Sequence, residues 1–385
     1  MVQLGANVNL VICQKSKIDD WVKHFEDYYK YDISAYDLTD KKQWNDFWEN
    51  PCGFKYRVGI INYELAFRRP ELKKLKDFTL ILDESSMIQN EKAKRSKFIL
   101  KLEPKNVILL SGTPVGGKYE RLWSQMRLLG WNISKKAFYF NYIDYHYEDF
   151  GGFPHMVIDG YKNVERLKKK MREHGCHFLK SDAVLDLPEQ NFQTVTVDDS
   201  KELRKFIKSS VVTVQDVELV GDNTLTKMLY ERQLCGQYSK AKLQVFKDLV
   251  ESTDDRIIVF YNFTDELIAM RQLFDSAGIN RPLSFVNGAG KYLKNYEDFD
   301  DSVTFVQYQA GAMGLNLQKA NKIIYFTPPL SSELYEQSKK RTHRIGQARP
   351  CFYYNLVVYG SVEERIYKTL SLRKDYTERL YEMGT

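Results

Sequence analysis

The chain has 385 residues, 43% hydrophobic and 28% charged, a balance that fits a soluble globular protein of about two to three domains and excludes fibrous and disordered classes. No apolar run approaches a membrane span; 57 Lys and Arg against 51 Asp and Glu leave a net charge of +6, which admits nucleic acid as a partner without requiring it. Five scattered cysteines (Cys13, Cys52, Cys176, Cys235 and Cys351) form no paired spacing, and Val8–Cys13 is a strand-length apolar run followed by charge rather than a signal peptide, so a reducing cytoplasm is the expected setting.

In chain order, Val8–Cys13 reads as a buried strand and Ser16 as the cap of a helix. Ile18, Trp21, Val22, Phe25 and Tyr29 repeat at helical spacing and read as core. Further strands are expected at Arg57–Ile61, Phe78–Leu82 and Asn106–Leu110. Helices are expected around Tyr63–Lys76, Lys92–Leu102 and Tyr119–Leu129. Strands alternating with helices predict a parallel α/β sheet, whose ligands bind outside the carboxyl ends of the strands. Asp83-Glu84 and Ser111-Gly-Thr113 both fall at such ends. A carboxylate after a buried strand is placed to hold Mg²⁺, and its neighbour to orient and deprotonate a water attacking a phosphate.

Residues 135–240 break the alternation and read as a mainly helical insertion between two lobes. They hold an aromatic run, Phe138–Tyr147, and a basic helix, Val164–His174, with Lys168-Lys-Lys170. That Lys run suits either a phosphate backbone or a solvated face. Glu173-His-Gly-Cys-His177 lacks a second ligand pair at a zinc-like spacing, so no metal is expected there.

The second lobe, 241–385, again alternates. Strands are expected at Arg256–Tyr261, Leu283–Val286, Val303–Val306, Ile323–Phe326 and Phe352–Val358. Asp265–Ala277 is a helix with Leu267, Met270 and Phe274 inward, and Val362–Glu382 a long terminal helix. Gly311 and Gly314 allow close backbone approach to a ligand, and Asn316 supplies an amide. If 333–347 is helical, Gln337, Arg341 and Arg344 share one face. With Gly346 closing it, this donor array suits a phosphate chain, because guanidinium forks match its oxygens.

The order of these motifs resembles the Snf-type ATPases of helicase superfamily two, the chromatin-remodeller-like enzymes. The resemblance rests on Asp83-Glu84, Ser111-Gly-Thr-Pro114, Gly311-x-x-Gly-Leu-Asn316 and Gln337-x-x-x-Arg-x-His-Arg-Ile-Gly-Gln347. Val11–Ser16 with Trp21 is similar to motif Ia, Ile61–Glu64 to motif Ib, and Ile258–Phe263 to motif IV. The compact form resembles bacterial or bacteriophage members, which would place it in a bacterial cytoplasm. The resemblance implies two RecA-like lobes, 1–134 and 241–385, with ATP between them and duplex DNA across both. Asp83 and Glu84 would then serve Mg²⁺ and water, Arg341 and Arg344 would be arginine fingers, and Gln337, Gly311, Gly314 and Asn316 would contact the nucleotide. Ser111, Gly112, Thr113 and Gln347 would couple nucleotide state to lobe motion. Lys15, Ser16, Asn62, Tyr63, Asn262, Gln309 and Ala310 would touch DNA.

Several positions depart from that pattern. Ser85-Ser86 stands in place of Ala-His, Thr327-Pro-Pro-Leu330 in place of Asp-Trp-Asn-Pro, and Gly117 in place of Asn. The 385 residues contain no Gly-rich loop ending in Gly-Lys-Ser/Thr, since Gly116-Gly-Lys-Tyr119 and Gly290-Lys-Tyr292 lack its spacing and hydroxyl. The first lobe is therefore expected to be truncated at its N-terminus, leaving Val8–Cys13 short of a strand neighbour. A missing N-terminal segment or a partner protein would complete it. Two functions follow: a DNA-dependent ATPase and translocase that is inactive without that loop, or a non-catalytic nucleic-acid-binding or regulatory module.

Overall fold

A computed structural model describes residues 4–29, 31–51, 53–112, 115–150, 153–177, 185–311 and 314–381. It divides into two compact units, 1–178 with 375–385, and 179–374.

The first unit is built on a parallel sheet of β1 (Val8–Cys13), β2 (Ile33–Asp37), β3 (Tyr56–Asn62), β4 (Phe78–Asp83) and β5 (Asn106–Leu110), in the order β2-β3-β1-β4-β5. The strands are near-continuous apolar runs because helices cover both faces. Leu10, Ile12, Leu80 and Leu82 point into one core with Phe47 and Phe98, while Val11, Cys13, Ile60 and Ile81 point into the other with Ile18 and Phe25. Each such side chain contributes about 1.5–3 kcal/mol when fully buried. The expectation that Val8–Cys13 lacks a neighbour is corrected: β1 is central, paired in parallel with β3 and β4. The sheet's two edges are β2, which pairs with β3 alone among the described residues, and β5, which pairs with β4 alone among them. Although Asn-Val-Ile-Leu-Leu reads as an interior strand, all its residues are partly or fully exposed, Leu110 by 40%.

The helix expected over 63–76 is broken. Arg69-Pro70 splits it into a turn of helix at Tyr63–Ala66 and a 3₁₀ segment at Pro70–Lys74, as the missing N–H and fixed φ of proline require. After β5, the helix Lys135–Tyr142, a hairpin of β6 (Ile143–Phe150) with β7 (Phe153–Tyr161), and the helix Val164–Glu173 pack onto this unit. Phe138, Tyr142, Ile143, Leu167 and Met171 close around Val115, Tyr119, Leu122 and Met126. The triple-lysine run is not a uniform solvated face: Lys168 is 5% exposed and bonds Glu165 at 2.9 Å, and Lys170 bonds Glu173 at 2.6 Å.

The second unit begins with β8 (Gln190–Val197), then a hairpin of β9 (Val211–Val214) and β10 (Val217–Val220) among helices. It continues through β11 (Ile257–Tyr261), β12 (Leu283–Asn287), β13 (Gly290–Tyr292), β14 (Val303–Gln307), β15 (Lys322–Tyr325) and β16 (Cys351–Val358). Its seven strands run β13-β12-β14-β11-β15-β16-β8, all parallel except the short β13. Leu267, Met270 and Phe274 of the helix Thr264–Ala277 are buried on it, as their spacing predicts.

The segment expected as one mainly helical insertion is thus shared between the units and contains β6 to β10. Its first strand alternates Tyr145, Tyr147 against His146, Glu148, a period of two that the aromatic density concealed. A buried ion pair ties the helix that follows this segment, Lys240–Glu251, to the start of the C-terminal helix. Lys242 Nζ lies 2.6 Å from both carboxylate oxygens of Glu363, with the pair almost fully buried.

Candidate active site

Asp83 ends β4 opposite Leu110 of β5, and Ser111 follows on the neighbouring strand, so the predicted carboxylate and hydroxyl emerge side by side. Trp21 donates from its indole Nε1 to Asp83 Oδ2 at 2.9 Å. Tyr63 donates from its hydroxyl to Asp83 O at 2.9 Å and Glu84 O at 3.3 Å. Glu84 adopts the left-handed conformation, φ 57° and ψ 59°, which costs a non-glycine residue about 1–3 kcal/mol and clusters at functional sites. Ser85, in place of the alanine of Ala-His, hydrogen-bonds Gln125 at 3.0 Å, anchoring the turn to the helix Trp123–Leu128. Burial first, and then the Asp83 charge, push the Cys13 thiol up to about 12 and the Tyr63 phenol well above its ordinary range. Both stay protonated at neutral pH. Beside β5 a cavity of about 310 Å³ is lined by Ser85, Ser111, Gln125, Val107, Leu109 and Cys176. Thr113 and Pro114 lie outside the described residues, while Gly112 is exposed next to Ser111.

The residues expected to touch DNA divide into two groups. Lys15, Ser16 and Gln309 are exposed. Tyr63 is fully buried, Asn62 is 7% exposed and bonds Glu64 at 3.0 Å, and Ala310 is 4% exposed. Asn262 directs its amide inward, donating to Thr327 Oγ1 at 2.8 Å and Pro328 O at 3.0 Å. Tyr63 and Asn262 thus use their side chains to hold the protein together.

In the second unit the helix expected through 347 stops at Lys339, giving way to successive turns, so Gln337, Arg341 and Arg344 do not share one regular helix face. Gly346, at φ +95°, permits the last of those turns. This segment is fastened to the Gly314–Ala320 stretch instead. Leu317 N donates to Arg341 O at 2.9 Å, and Gln347 Nε2 to Ala320 O at 2.8 Å. Arg344 donates to Asn316 Oδ1, and Gln337 to Glu333 at 3.5 Å. Gly311 has a packing reason of its own, since a Cβ there would sit 2.6 Å from Val306 Cγ1. Gly314, at φ +63°, supplies the left-handed turn.

Sequence reasoning missed Glu266. Fully buried, it accepts from Asn262 N at 2.8 Å, Phe263 N at 3.2 Å and Thr327 Oγ1 at 3.1 Å, and burial pushes its carboxyl up to about 7. Its position at the third residue of the helix Thr264–Ala277 was the available signal.

The donor set fits Mg²⁺ carried with a polyphosphate. Among the described residues no cluster of three or more His, Cys, Asp or Glu could form an all-protein cage. Magnesium in phosphoryl-transfer sites is held by one or two carboxylates, with phosphates and waters completing the shell.

A family model, the SNF2-related domain, matches residues 4–240, and a second, the helicase conserved C-terminal domain, matches 241–346. The chain belongs to the SNF2-related family. Among curated SNF2 relatives it is 23% identical to the ISWI chromatin-remodeling complex ATPase ISW1 of Saccharomyces cerevisiae, over 95% of this chain and 35% of that protein. It is 23% identical to an ATP-dependent helicase, YqhH, of Bacillus subtilis, over 96% and 70%. To the DNA repair and recombination protein RAD26 of S. cerevisiae it is 26% identical, over 82% and 32%. The chain therefore spans about a third of the length of ISW1 and RAD26. Among solved structures it is similar to the Sulfolobus solfataricus SWI2/SNF2 ATPase core in complex with dsDNA, at 19% identity and a TM-score of 0.40, over 98% of this chain and 83% of that one.

Proposed function

We propose that the chain is the core of a DNA-dependent ATPase and translocase that couples ATP hydrolysis to movement on duplex DNA. The observation that carries the reading is the Asp83–Glu84 pair at the carboxyl end of β4, braced by Trp21 and Tyr63, beside Ser111 of β5, in a chain whose family the two domain models establish. Asp83 holds the cation and Glu84 orients and deprotonates the attacking water. When bound with the nucleotide, Mg²⁺ would supply neutralisation of the charge that develops on the phosphates. Arg341 and Arg344 act as arginine fingers on ATP, Gln337 contacts the nucleotide, and Gly311, Gly314 and Asn316 shape the turn to which Arg344 is bonded. Ser111, Gly112, Thr113 and Gln347 carry the coupling. Lys15, Ser16 and Gln309 contact phosphates of duplex DNA by side chain. Ala310 offers its backbone, and Asn62, Tyr63 and Asn262 act by shaping those segments.

The backbone cradle and lysine that fix β- and γ-phosphates come from a Gly-Lys-Ser/Thr segment that residues 1–385 do not contain. On their own these residues bind DNA without cycling ATP, which is also what a non-catalytic binding module would do. Phosphate release with and without duplex DNA, by a polypeptide that includes such a segment, separates the two. DNA-stimulated turnover is the translocase result, and DNA binding with no turnover is the module result.

A further inference from the structure

We propose that Trp21 and Tyr63 are positioning residues for the Asp83–Glu84 pair: Trp21 occupies Asp83 Oδ2 so that Oδ1 is the oxygen left to a divalent cation, and Tyr63 fixes the backbone that aims Glu84. The inference rests on the reading of this pair as the cation- and water-serving carboxylates. Trp21 reaches Asp83 from the helix Ile18–Tyr29, with its ring stacked on Phe25 at 5.9 Å between centroids. The indole N–H has one hydrogen to give, and Oδ2 takes it at 2.9 Å. That bond sets the carboxylate plane and makes the two oxygens unequal.

Tyr63 acts on the backbone. Its single O–H lies between two consecutive carbonyls, Asp83 O at 2.9 Å and Glu84 O at 3.3 Å. Those carbonyls flank the left-handed φ of Glu84, a conformation that persists only where surrounding contacts over-determine it. Neither hydrogen bond is needed to bury its ring, since phenylalanine would fill either place with most of the same contact. Both donors are therefore matched to the carboxylate turn.

Paramagnetic broadening by Mn²⁺ carried with ATP, read in the ¹⁵N-labelled chain of residues 1–385, tests the proposal without turnover. In the parent, Mn²⁺ should broaden the Trp21 indole N–H and the Ser85 amide at concentrations that leave the Trp131 indole sharp. Asp83→Ala should abolish that broadening and shift the Trp21 indole resonance, whose acceptor is gone. Trp21→Phe and Tyr63→Phe should each reduce broadening at Ser85 severalfold while keeping the unfolding midpoint within a few degrees of the parent. Parent-like broadening in both variants, or an unmoved indole resonance in Asp83→Ala, would overturn the positioning roles. Absence of broadening in the parent would overturn the underlying cation reading instead, so the two failures are distinguishable.

Discussion

Arg344 donates through Nη1 to the side-chain oxygen of Asn316, joining the turn after the Ser332–Lys339 helix to the turn after Gly314. The guanidinium is thereby held on the strand-end turn at one side, with its remaining N–H groups set by that anchor. On the proposed reading, a finger held this way would act on charge that develops in the transition state.

In a polypeptide that hydrolyses ATP, Arg344→Ala should lower turnover by roughly 10³–10⁵ while leaving duplex affinity within a few-fold. Lysine should restore little, because it lacks the planar fork. Steady-state phosphate release and fluorescence anisotropy on the same preparations check both halves. Turnover within a few-fold of the parent would remove the arginine-finger assignment.

Binding of duplex DNA by residues 1–385 should weaken as salt rises and vary little with sequence, since its expected contacts are to phosphates. The structure sharpens this to individual residues. Lys15→Ala should reduce the salt slope by about one, whereas Tyr63→Phe, at a fully buried position, should leave the salt slope unchanged. Anisotropy titrations at several salt concentrations decide. A salt-independent signal, or an equal loss from both substitutions, would contradict the assignment.

The parallel sheets, the carboxylates at the end of β4 and the motif order were legible because long apolar strands and their punctuation are local signals. What sequence could not supply was partnership across distance. Trp21 reads as core at helical spacing, yet its N–H is committed to Asp83, 62 residues away. Tyr63 sits in a segment resembling motif Ib but faces inward, and Asn262 is spent on the Thr327–Pro328 turn. The edge role of β5 was equally hidden, because a continuous apolar run predicts burial on both faces and says nothing of which edge is paired.

Glu266 should make the second unit's stability depend on pH. Its folded value, raised to about 7 by burial, lies above its ordinary 4.5, so the folded state keeps a proton that the unfolded chain releases. The stabilising contribution is complete below pH 4.5 and is lost as pH rises through about 7. Glu266→Gln should flatten the change in urea midpoint between pH 5 and 8 and match or exceed the parent at pH 8. A parent-like pH profile in the variant would rule Glu266 out as its source.

The edge strand β5, unpaired on one side among the described residues, should make residues 1–385 prone to self-association, since an apolar edge strand is a template for pairing. Leu110, 40% exposed at the end of that strand, is the place to block it. Leu110→Lys should lower the self-associated fraction seen by sedimentation at matched concentration, with the unfolding midpoint preserved. An unchanged distribution would locate the association elsewhere.

Phosphate release is the decisive measurement for the ATPase reading, made on residues 1–385 alone and with a segment carrying Gly-Lys-Thr supplied in cis or as a second chain, each with and without saturating duplex DNA. Positioning and electrostatics provide nearly all the catalysis in phosphoryl transfer, so carboxylates and arginines without a phosphate cradle should give negligible turnover. Supplying the segment should restore hydrolysis that duplex DNA stimulates. Robust DNA-stimulated turnover by residues 1–385 alone would contradict the account and point to another residue, with Lys118 the first to substitute, in the role of the missing lysine.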